Sequence, residues 1–529
     1  MKAKRFKIFS LFKILLCAFF FLFLFFPFIK MLSNITYEDI VNIFNSQLFF
    51  IAIKNSLLIA VITTVISVAL GLTLAFSLQR SRIKFKKILS ILFIIPMLIP
   101  SISHSMGLIV LFGTNGIISN LLNFSNTIYG IEGIIIGSVF YTYPVAFLMF
   151  NDVLKYQDFA PYEAAKVLGI PKHKVTTSIT FPFLSKTLIA AIFSVFTLTI
   201  TDYGIPLLIG GKTTTLAVMM YQEVLGQLDF GKGSVIGLVL LIPATLTFLY
   251  NLFSKKQKNV NFITQKFITN TNIIRDLCAY LISAVASLSV ILLILSFILV
   301  GFTTKYPTNL TPTLNNITKM FVIQGNSYLF NSFLIAFFVA IIGSFTAFVT
   351  AYLTTHTTSK TSTILHLFSI TTLAIPGLVL GLSYSMTFTH SFIYGTLAIL
   401  ILVNILHFFA SPYQIMYNCF NKLNPDLENV GKTLGVKQKN IILNVILPLS
   451  KSSVFEIFSY FFVNSMITIS AVSFLATAST KPLSLMIGQF EAQMLYECAA
   501  IVSLIILISN LSIKVLVFTI NKKLNIKST

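Results

Sequence analysis

Residues 55–77 read NSLLIAVITTVISVALGLTLAFS, a run without a charged side chain. A helix needs about 20 mostly apolar residues to cross the hydrocarbon core of a bilayer, and this run is long enough. The rest of the chain has the same character, since 56% of the 529 residues are apolar, the mean hydropathy is +0.90 and only 10% are charged. A soluble domain usually has about 25% charged residues, and a single core stops growing near roughly 250–300 residues. The composition therefore excludes a soluble enzyme and predicts a polytopic membrane protein.

Eleven further stretches have a similar length and composition, so we predict an all-α protein with about twelve membrane spans. The spans lie near residues 11–31, 55–77, 88–112, 130–153, 187–209, 234–253, 278–302, 330–354, 363–387, 395–417, 452–475 and 494–519.

The chain contains an internal repeat. Asn55-Ser56-Leu57-Leu58-Ile59-Ala60 opens the second span, and a close copy, residues 331–336, opens the eighth span 276 positions later. Three more landmarks recur in the same order: Ile95-Pro96 at 375–376, Leu168-Gly169 at 434–435 and Phe181-Pro182 at 447–448. Because the four landmarks occur in the same order in both halves, we favour duplication over a chance similarity between two segments rich in the same apolar residues.

The repeat predicts two halves of six spans each. Because six is even, both halves enter the membrane in the same orientation, as parallel repeats. We place the first half at residues 1–260, a basic linker at 261–277 and the second half at 278–529.

The net charge of +22 has two possible explanations, nucleic-acid binding or membrane orientation. Thirty of the 37 Lys and Arg residues fall in the termini and alternate loops that share one side of the membrane. Basic residues accumulate on the cytoplasmic side, so both termini are predicted to be cytoplasmic and no nucleic-acid partner is expected. The four cysteines lie far apart and predict neither a disulfide framework nor a metal site.

The longest loops within the two halves, residues 154–186 and 419–451, lie on this predicted cytoplasmic side. The first loop reads as a short helix around Glu163-Ala164-Ala165, a break at Gly169, and a second helix stopped near Pro182. The small side chains of Ala164 and Ala165 offer a surface on which another protein can lie close. Loops of this length tend to be functional.

The first loop resembles the EAA loop found in permease subunits of ATP-binding-cassette (ABC) importers. The matching residues are Glu163, Ala164, Ala165, Gly169, Ile179 and Pro182, with Phe181 where the family usually has Leu. The second loop matches less closely, with Asn429, Val430, Gly431, Gly435, Val445 and Pro448 at the same positions and Glu428 one residue early. Two amphipathic surface loops without a partner remain the alternative.

This resemblance implies a fold similar to the type I ABC importer permeases and a location in the bacterial inner (plasma) membrane. It also implies two partners: a cytoplasmic ATPase, expected as a dimer, that docks on both loops, and an extracytoplasmic solute-binding protein. Membrane lipid surrounds such a chain. Motion of the ATPases, transmitted through the loops, would rock the two halves between inward and outward access.

The sequence predicts neither a catalytic residue nor a bound cofactor or metal in this chain. Gly211-Lys212-Thr213 and Gly431-Lys432-Thr433 imitate the end of a phosphate-binding GxxxxGK[ST] loop, but Pro206 and Asp426 replace its first glycine. ATP is therefore expected on the partner subunit.

Polar residues at membrane depth are costly and are candidates for function. Asp202 lies late in the fifth predicted span, in the stretch DYGIPLLIGG, where Gly and Pro interrupt the helix, and Thr468 is its counterpart 266 positions later. With Asn464 they form our candidate solute pathway. The lone His104 and His407 are better explained as structural residues.

The solute is predicted by resemblance alone. The two central stretches resemble those of permeases for 2-aminoethylphosphonate and ferric iron, with a slight preference for 2-aminoethylphosphonate, and thiamine permeases are similar in length. The alternative to an ABC importer is an ion-coupled secondary transporter with two parallel six-helix repeats. It would need coupling-ion chemistry in the membrane, and the acidic residues there are few.

Overall fold

Helices contain 81% of the residues. The computed structural model describes residues 2–123, 128–253, 269, 272–357, 359–424 and 426–523. In the first half the helices are α1 (Lys2–Phe20), α2 (Phe26–Ser33), α3 (Tyr37–Asn45), α4 (Gln47–Arg80), α5 (Lys86–Ile94), α6 (Ser101–Phe112), α7 (Ile117–Leu122), α8 (Ile131–Lys155), α9 (Ala160–Val167), α10 (Lys172–Val175), α11 (Phe181–Thr201), α12 (Gly204–Ile209), α13 (Leu216–Gly226) and α14 (Phe230–Phe253).

The second half repeats this order. Its helices are α15 (Ile273–Gly301), α16 (Asn315–Met320), α17 (Asn326–Thr355), α18 (Lys360–Thr371), α19 (Gly377–Phe388), α20 (Leu397–His407), α21 (Ala410–Lys422), α22 (Asp426–Thr433), α23 (Gln438–Ile441), α24 (Leu447–Leu449), α25 (Lys451–Ile467), α26 (Leu483–Ala492) and α27 (Tyr496–Lys523). A short antiparallel hairpin, β1 (Thr303–Lys305) with β2 (Asn309–Pro312), follows α15.

Within the described residues, nine helices are long and apolar enough to cross a membrane, and up to twelve spans result if three bent pairs are counted as one span each. The bent pairs are α18–α19, at 106°, α20–α21, at 52°, and the segment Gln438–Leu449 with α25, at 75°. The all-helical fold with about twelve spans is thus confirmed. Most of the linker predicted at 261–277 lies outside the described residues, namely 261–268, 270 and 271, and α15 already begins at Ile273.

Several predicted spans are wrong as continuous helices. The span predicted at 88–112 is interrupted between Ile94 and Ser101, and the one at 363–387 breaks before Gly377. Pro100 and Pro376 stand just before the helices that follow these breaks. Proline lacks the N–H that a helix interior needs, so a continuous helix through either position is disfavoured. The span predicted at 452–475 ends at Ile467, and the one at 187–209 is interrupted after Thr201.

The first helix of each half packs against the other half. α1 and α2 lie against α18 and α19, where the hydroxyl of Tyr384 donates to the carbonyl of Phe23 at 2.7 Å. In the same way α15 packs against α4, α5 and α6, and the Tyr280 hydroxyl accepts from the backbone N–H of Lys84 at 2.9 Å. This exchange ties the two repeats into one bundle.

Close packing between α4 and α8 depends on Gly71. A Cβ atom added there would lie 2.7 Å from the backbone nitrogen of Phe147 and 2.8 Å from the Cβ of Ala146. Small residues let membrane helices approach in this way, and the contact then relies on van der Waals packing.

We therefore expect Gly71→Ala to destabilise the protein by about 1–3 kcal/mol through overpacking. The midpoint of thermal unfolding in detergent measures the effect. Gly226→Ala is the matched control, because an added Cβ meets no atom within 4 Å there. Equal midpoints for the two variants would contradict the packing argument.

Candidate functional site

The first loop contains a short exposed helix that ends at a left-handed glycine. α9 carries Glu163 and Ala164 on its exposed surface, while Ala165 is buried. Gly169 has a φ of +67°, a conformation that residues with a Cβ adopt only at a cost. The N–H of Ile170 donates to the carbonyl of Ala165 at 2.9 Å, which closes the end of the helix as a Schellman turn does.

The second loop repeats this geometry 266 residues later. α22 corresponds to α9 residue for residue, and Gly435 has a φ of +71°. The N–H of Val436 donates to the carbonyl of Gly431 at 3.0 Å, as Ile170 does to Ala165. Asn429 and Val430 are exposed where the first loop has Glu163 and Ala164. The two loops thus share one backbone shape despite different side chains.

The segments after the two glycines also correspond. Ile179 lies in a π-helical turn, Thr176–Thr180, and Val445 in its counterpart, Ile442–Ile446. Pro182 and Pro448 each stand at the start of the helix that follows, where the missing N–H costs no hydrogen bond. All twelve predicted loop residues are therefore placed in two equivalent structures at the same end of the bundle, which we call the α9/α22 end.

A polar network fastens the first loop to the end of α4. The Arg80 guanidinium donates to the carbonyl of Leu154 at 3.3 Å and contacts the side-chain oxygen of Gln157. The amide of Gln157 donates to the hydroxyl of Tyr162 at 2.6 Å, and that hydroxyl lies 2.8 Å from the hydroxyl of Thr180. The network links a membrane helix to both arms of the loop.

In the second half, different residues fasten the second loop to the end of α17. The hydroxyl of Tyr352 donates to Glu428 Oε1 at 2.7 Å and accepts from the amide of Gln438. Nε2 of His356 lies 3.6 Å from the same carboxylate oxygen, and its ring stacks on that of Tyr352 with centroids 4.5 Å apart. Glu428 is buried, so it faces the bundle and not the exposed side of α22.

These two networks were missed by the sequence analysis, although a signal for them was present. Tyr162 and Glu428 are 266 positions apart, the offset of the two loops, and Arg80 and His356 are 276 apart, the offset of the second and eighth spans. Applying the 266- and 276-residue offsets to the polar residues of the first half would have paired Tyr162 with Glu428 and Arg80 with His356. The offset also explains why Glu428 stands one residue early, since it corresponds to Tyr162 and not to Glu163.

Asp202 stabilises the break in the fifth span. The chain leaves α11 at Thr201 and starts α12 at Gly204, and Asp202 Oδ2 accepts from the N–H of Ile205 at 3.0 Å. The carboxylate thus satisfies an N–H that has no partner within the short helix.

Thr468 and Asn464 lie at the end of α25. The N–H of Thr468 donates to the carbonyl of Asn464 at 3.0 Å, and the Thr468 carbonyl accepts from the hydroxyl of Ser484 at 2.6 Å. The two breaks meet across the halves, because a Cβ added to Gly204 would lie 2.5 Å from the Cδ1 atom of Ile469. The structure therefore brings the neighbourhoods of Asp202 and Thr468 together, and their role in a pathway stays a prediction.

Other interactions connect the same central region. The ring of Tyr203 stacks on that of Tyr221, with centroids 4.7 Å apart, and Tyr221 lies 6.3 Å from Phe474 of the second half. The hydroxyls of Ser103 and Ser503 are 2.9 Å apart, also across the halves. Among the described residues, no group of three or more His, Cys, Asp or Glu side chains could hold a metal ion.

A bundle of two helical repeats with a matched pair of exposed loops at one end defines a membrane transport subunit. Residues 67–259 and 343–526 each match the model of the binding-protein-dependent transport system inner membrane component. The matches cover more than half of the chain, so the protein belongs to this family, and it is a fused two-half permease of an ABC importer.

Similar curated proteins include ferric transport permeases. The ferric transport system permease protein FbpB of Actinobacillus pleuropneumoniae is 25% identical over 513 residues, covering 91% of this chain and 73% of the relative. A putative ferric transport system permease of Haemophilus influenzae is 25% identical over the same length and is covered to 80%. The thiamine permease ThiP of Haemophilus influenzae is 26% identical over 208 residues, 38% of this chain and 39% of the relative.

The solved structures include a similar chain from a bacterial alginate ABC transporter in complex with an alginate pentasaccharide-bound periplasmic protein. It is 19% identical, with a TM-score of 0.40, and the match covers 48% of this chain and 96% of that one.

The networks make a prediction about local stability. Tyr162→Phe removes the hydroxyl that joins Gln157 to Thr180, at a cost of about 1 kcal/mol, so we expect amide hydrogen exchange in α9 to become roughly fivefold faster. Hydrogen–deuterium exchange with mass spectrometry measures this rate. Tyr156→Phe is the control, because Tyr156 is exposed and contacts Lys155 through its ring. Equal exchange in the two variants would show that the network does not hold α9.

Proposed function

We propose that this permease is driven by a separate cytoplasmic ATPase, expected as a dimer, that docks on α9 and α22. The observation that carries the proposal is the equivalence of the two loops: each presents a short exposed helix closed by a left-handed glycine, at corresponding positions of the two halves. Two equivalent exposed helices are suited to bind a partner that is itself built from two similar subunits.

The surface of the two loops supports protein docking. Val167 and Leu168 are 87% and 75% exposed, and Val430 and Leu434 of the second loop are also exposed. Apolar side chains grouped on a loop outside the membrane gain free energy when a partner removes them from water. The anchored networks behind α9 and α22 would let a push on either helix reach α4 or α17 without being absorbed by a flexible loop.

The side chains differ between the loops, and so should the contacts. Glu163 offers a negative charge on α9, whereas Asn429 at the same place on α22 is neutral. An ATPase dimer must therefore accommodate a carboxylate at this position of one helix and an amide at the same position of the other. In this account ATP binds the partner subunits, and the present chain contributes no catalytic residue and holds no cofactor.

The proposal fixes the orientation of the chain. The α9/α22 end faces the cytoplasm with both termini, in a bacterial inner membrane, and the opposite end receives solute from an extracytoplasmic binding protein. The bias of Lys and Arg toward the α9/α22 side supports this orientation. The secondary-transporter alternative is not favoured, because the family match covers both halves.

For the solute we propose ferric iron, delivered by the binding protein. Two similar relatives named as ferric transport permeases match this chain over 91% of its length, whereas the thiamine permease matches over 38%. These relatives give more support to iron than to 2-aminoethylphosphonate, which the central stretches slightly favoured. We propose that Asp202, Thr468 and Asn464 flank its path, because the two helix breaks meet there.

Docking can be tested at the two left-handed glycines. Gly169→Ala and Gly435→Ala force a Cβ into the left-handed region, which costs about 1–2 kcal/mol, although no atom lies within 4 Å of the new Cβ. We expect the turn to shift and ATP-driven uptake by the reconstituted complex to fall about tenfold.

Gly395→Ala is the matched control for these variants. Gly395 has a φ of +73° and lies at the opposite end, with the nearest atom 3.7 Å from an added Cβ. The same backbone strain there should leave uptake close to that of the unmodified chain. Uptake that falls equally in all three variants would contradict a specific role for the loops.

The solute is tested by uptake into proteoliposomes that contain the permease, its ATPase and the binding protein. We expect radioactive ferric iron to accumulate with ATP, and excess thiamine or 2-aminoethylphosphonate not to compete. Accumulation that either organic solute abolishes would overturn the assignment of iron and leave the ABC mechanism standing.

A further inference from the structure

Two turns at the end of the bundle opposite α9 and α22 share an unusual feature. Leu228 joins α13 to α14, and Met494 joins α26 to α27. Both have a φ of +56°, and 70% and 75% of their surfaces are exposed. They are 266 positions apart, so the repeat places the same feature in both halves.

Large apolar residues are unfavourable at such positions on two counts. The left-handed conformation favours glycine, because a Cβ then crowds the following carbonyl. An exposed apolar side chain at the tip of a turn also gains nothing from the protein's own core. The strain is imposed by hydrogen bonds that close the helix ends, from the N–H of Asp229 to the carbonyl of Glu223 and from the N–H of Leu495 to that of Phe490.

The surroundings of the tips are polar. Asp229 follows Leu228 directly and forms an ion pair with Lys232 at 3.0 Å. Gln493 precedes Met494. Charged and amide groups beside both tips indicate contact with water and not with the hydrocarbon of the bilayer.

A carboxylate precedes each tip in the chain, and one of its oxygens has no hydrogen-bond partner among the described residues. Glu223 Oε2 and Glu491 Oε2 are buried and have no hydrogen-bond partner among the described residues. Burial raises the pKa of Glu491 to about 8, and it also raises that of Glu223, against the opposing effect of Lys232. Both groups would be stabilised by a cation brought from outside.

The helices that carry the tips reach the breaks at the centre. α13 packs on α14, with Val224 next to Gly233. Its Tyr221 stacks on Tyr203 at the fifth-span break. In the other half, the Ser484 hydroxyl of α26 donates to the carbonyl of Thr468. A force applied to either tip therefore acts on a segment that touches the proposed path.

We propose that the repeat-related residues Leu228 and Met494, with Glu223 and Glu491 shortly before them in the chain, are two contact points for the extracytoplasmic solute-binding protein. The inference rests on the proposed function, which places this end outside. The docking face of that partner carries two apolar recesses, each with a Lys or Arg at its edge. One tip belongs to each half, so a single bound partner bridges the two repeats.

The test uses the permease with its ATPase in lipid nanodiscs and its purified solute-binding protein, loaded with ferric ion. Leu228→Gly and Met494→Gly relax the backbone while removing the side chain, so neither should lower the thermal stability. We expect each to weaken binding-protein affinity about tenfold and the double variant about a hundredfold, since distant sites add. Basal ATP hydrolysis should not change.

Asn123→Gly is the matched control, because Asn123 is also exposed and left-handed, with a φ of 51°, at the same end. It relieves the same strain without removing an apolar contact, so affinity should stay unchanged. Glu491→Gln is the second probe and should reduce the salt dependence of binding.

A double variant that binds within twofold of the unmodified chain overturns the inference and leaves the proposed function intact. A double variant that binds normally but unfolds at a lower temperature shows that the tips contact lipid, which also overturns it. An unmodified chain that binds no solute-binding protein overturns both the inference and the proposed function.

Discussion

The hydrocarbon core of a membrane contains no water to satisfy a broken helix, so each interruption must find its hydrogen bonds within the protein. The fifth and eleventh predicted spans are both interrupted, at Asp202 and after Ile467. Asp202 accepts from the N–H of Ile205, and Ser484 donates to the carbonyl of Thr468. The two interruptions lie against each other at Gly204 and Ile469, where burial by both halves removes them from lipid. Irregular backbone at this depth is tolerated where it is enclosed by protein or lines a cavity, which suits a transport path.

The two loops are also duplicated in backbone shape but differ in their side chains. Backbone geometry is kept between α9 and α22, whereas the fastening residues change from Arg80, Gln157 and Tyr162 to His356, Tyr352 and Glu428. Conserved shape with altered side chains is expected where position matters more than a particular reaction. A fused chain can accumulate such differences, because its two halves never exchange places.

Much of this architecture could be predicted from the sequence. Apolar runs of 20 or more residues gave the approximate number of spans, and the spacing around Gly169 and Gly435 located both loops. The breaks were not foreseen in spans three and nine, because hydropathy measures composition over a window and does not register how Pro100 or Pro376 redirects the backbone. The packing of α1 against α18 could not be predicted from the sequence either, because the apolar residues of a helix do not indicate which other helix it will contact. Asp202 was found because an ionisable group in an apolar run is costly, whereas the anchoring contacts of Tyr162 and Glu428 were missed because these residues belong to ordinary polar loops.

The central claim is that the ATPase binds the chain at α9 and α22 together. Its most direct test is cross-linking of the purified complex, in a background where Cys17, Cys278, Cys419 and Cys498 are replaced by serine. With cysteine placed at Ala164 or Val430 by Ala164→Cys or Val430→Cys, a short bifunctional thiol–amine reagent should join the permease to the ATPase from either site. Cysteine at Asn123 should give no such product. If neither loop position cross-links to the ATPase, or if Asn123 does so equally well, the account is contradicted.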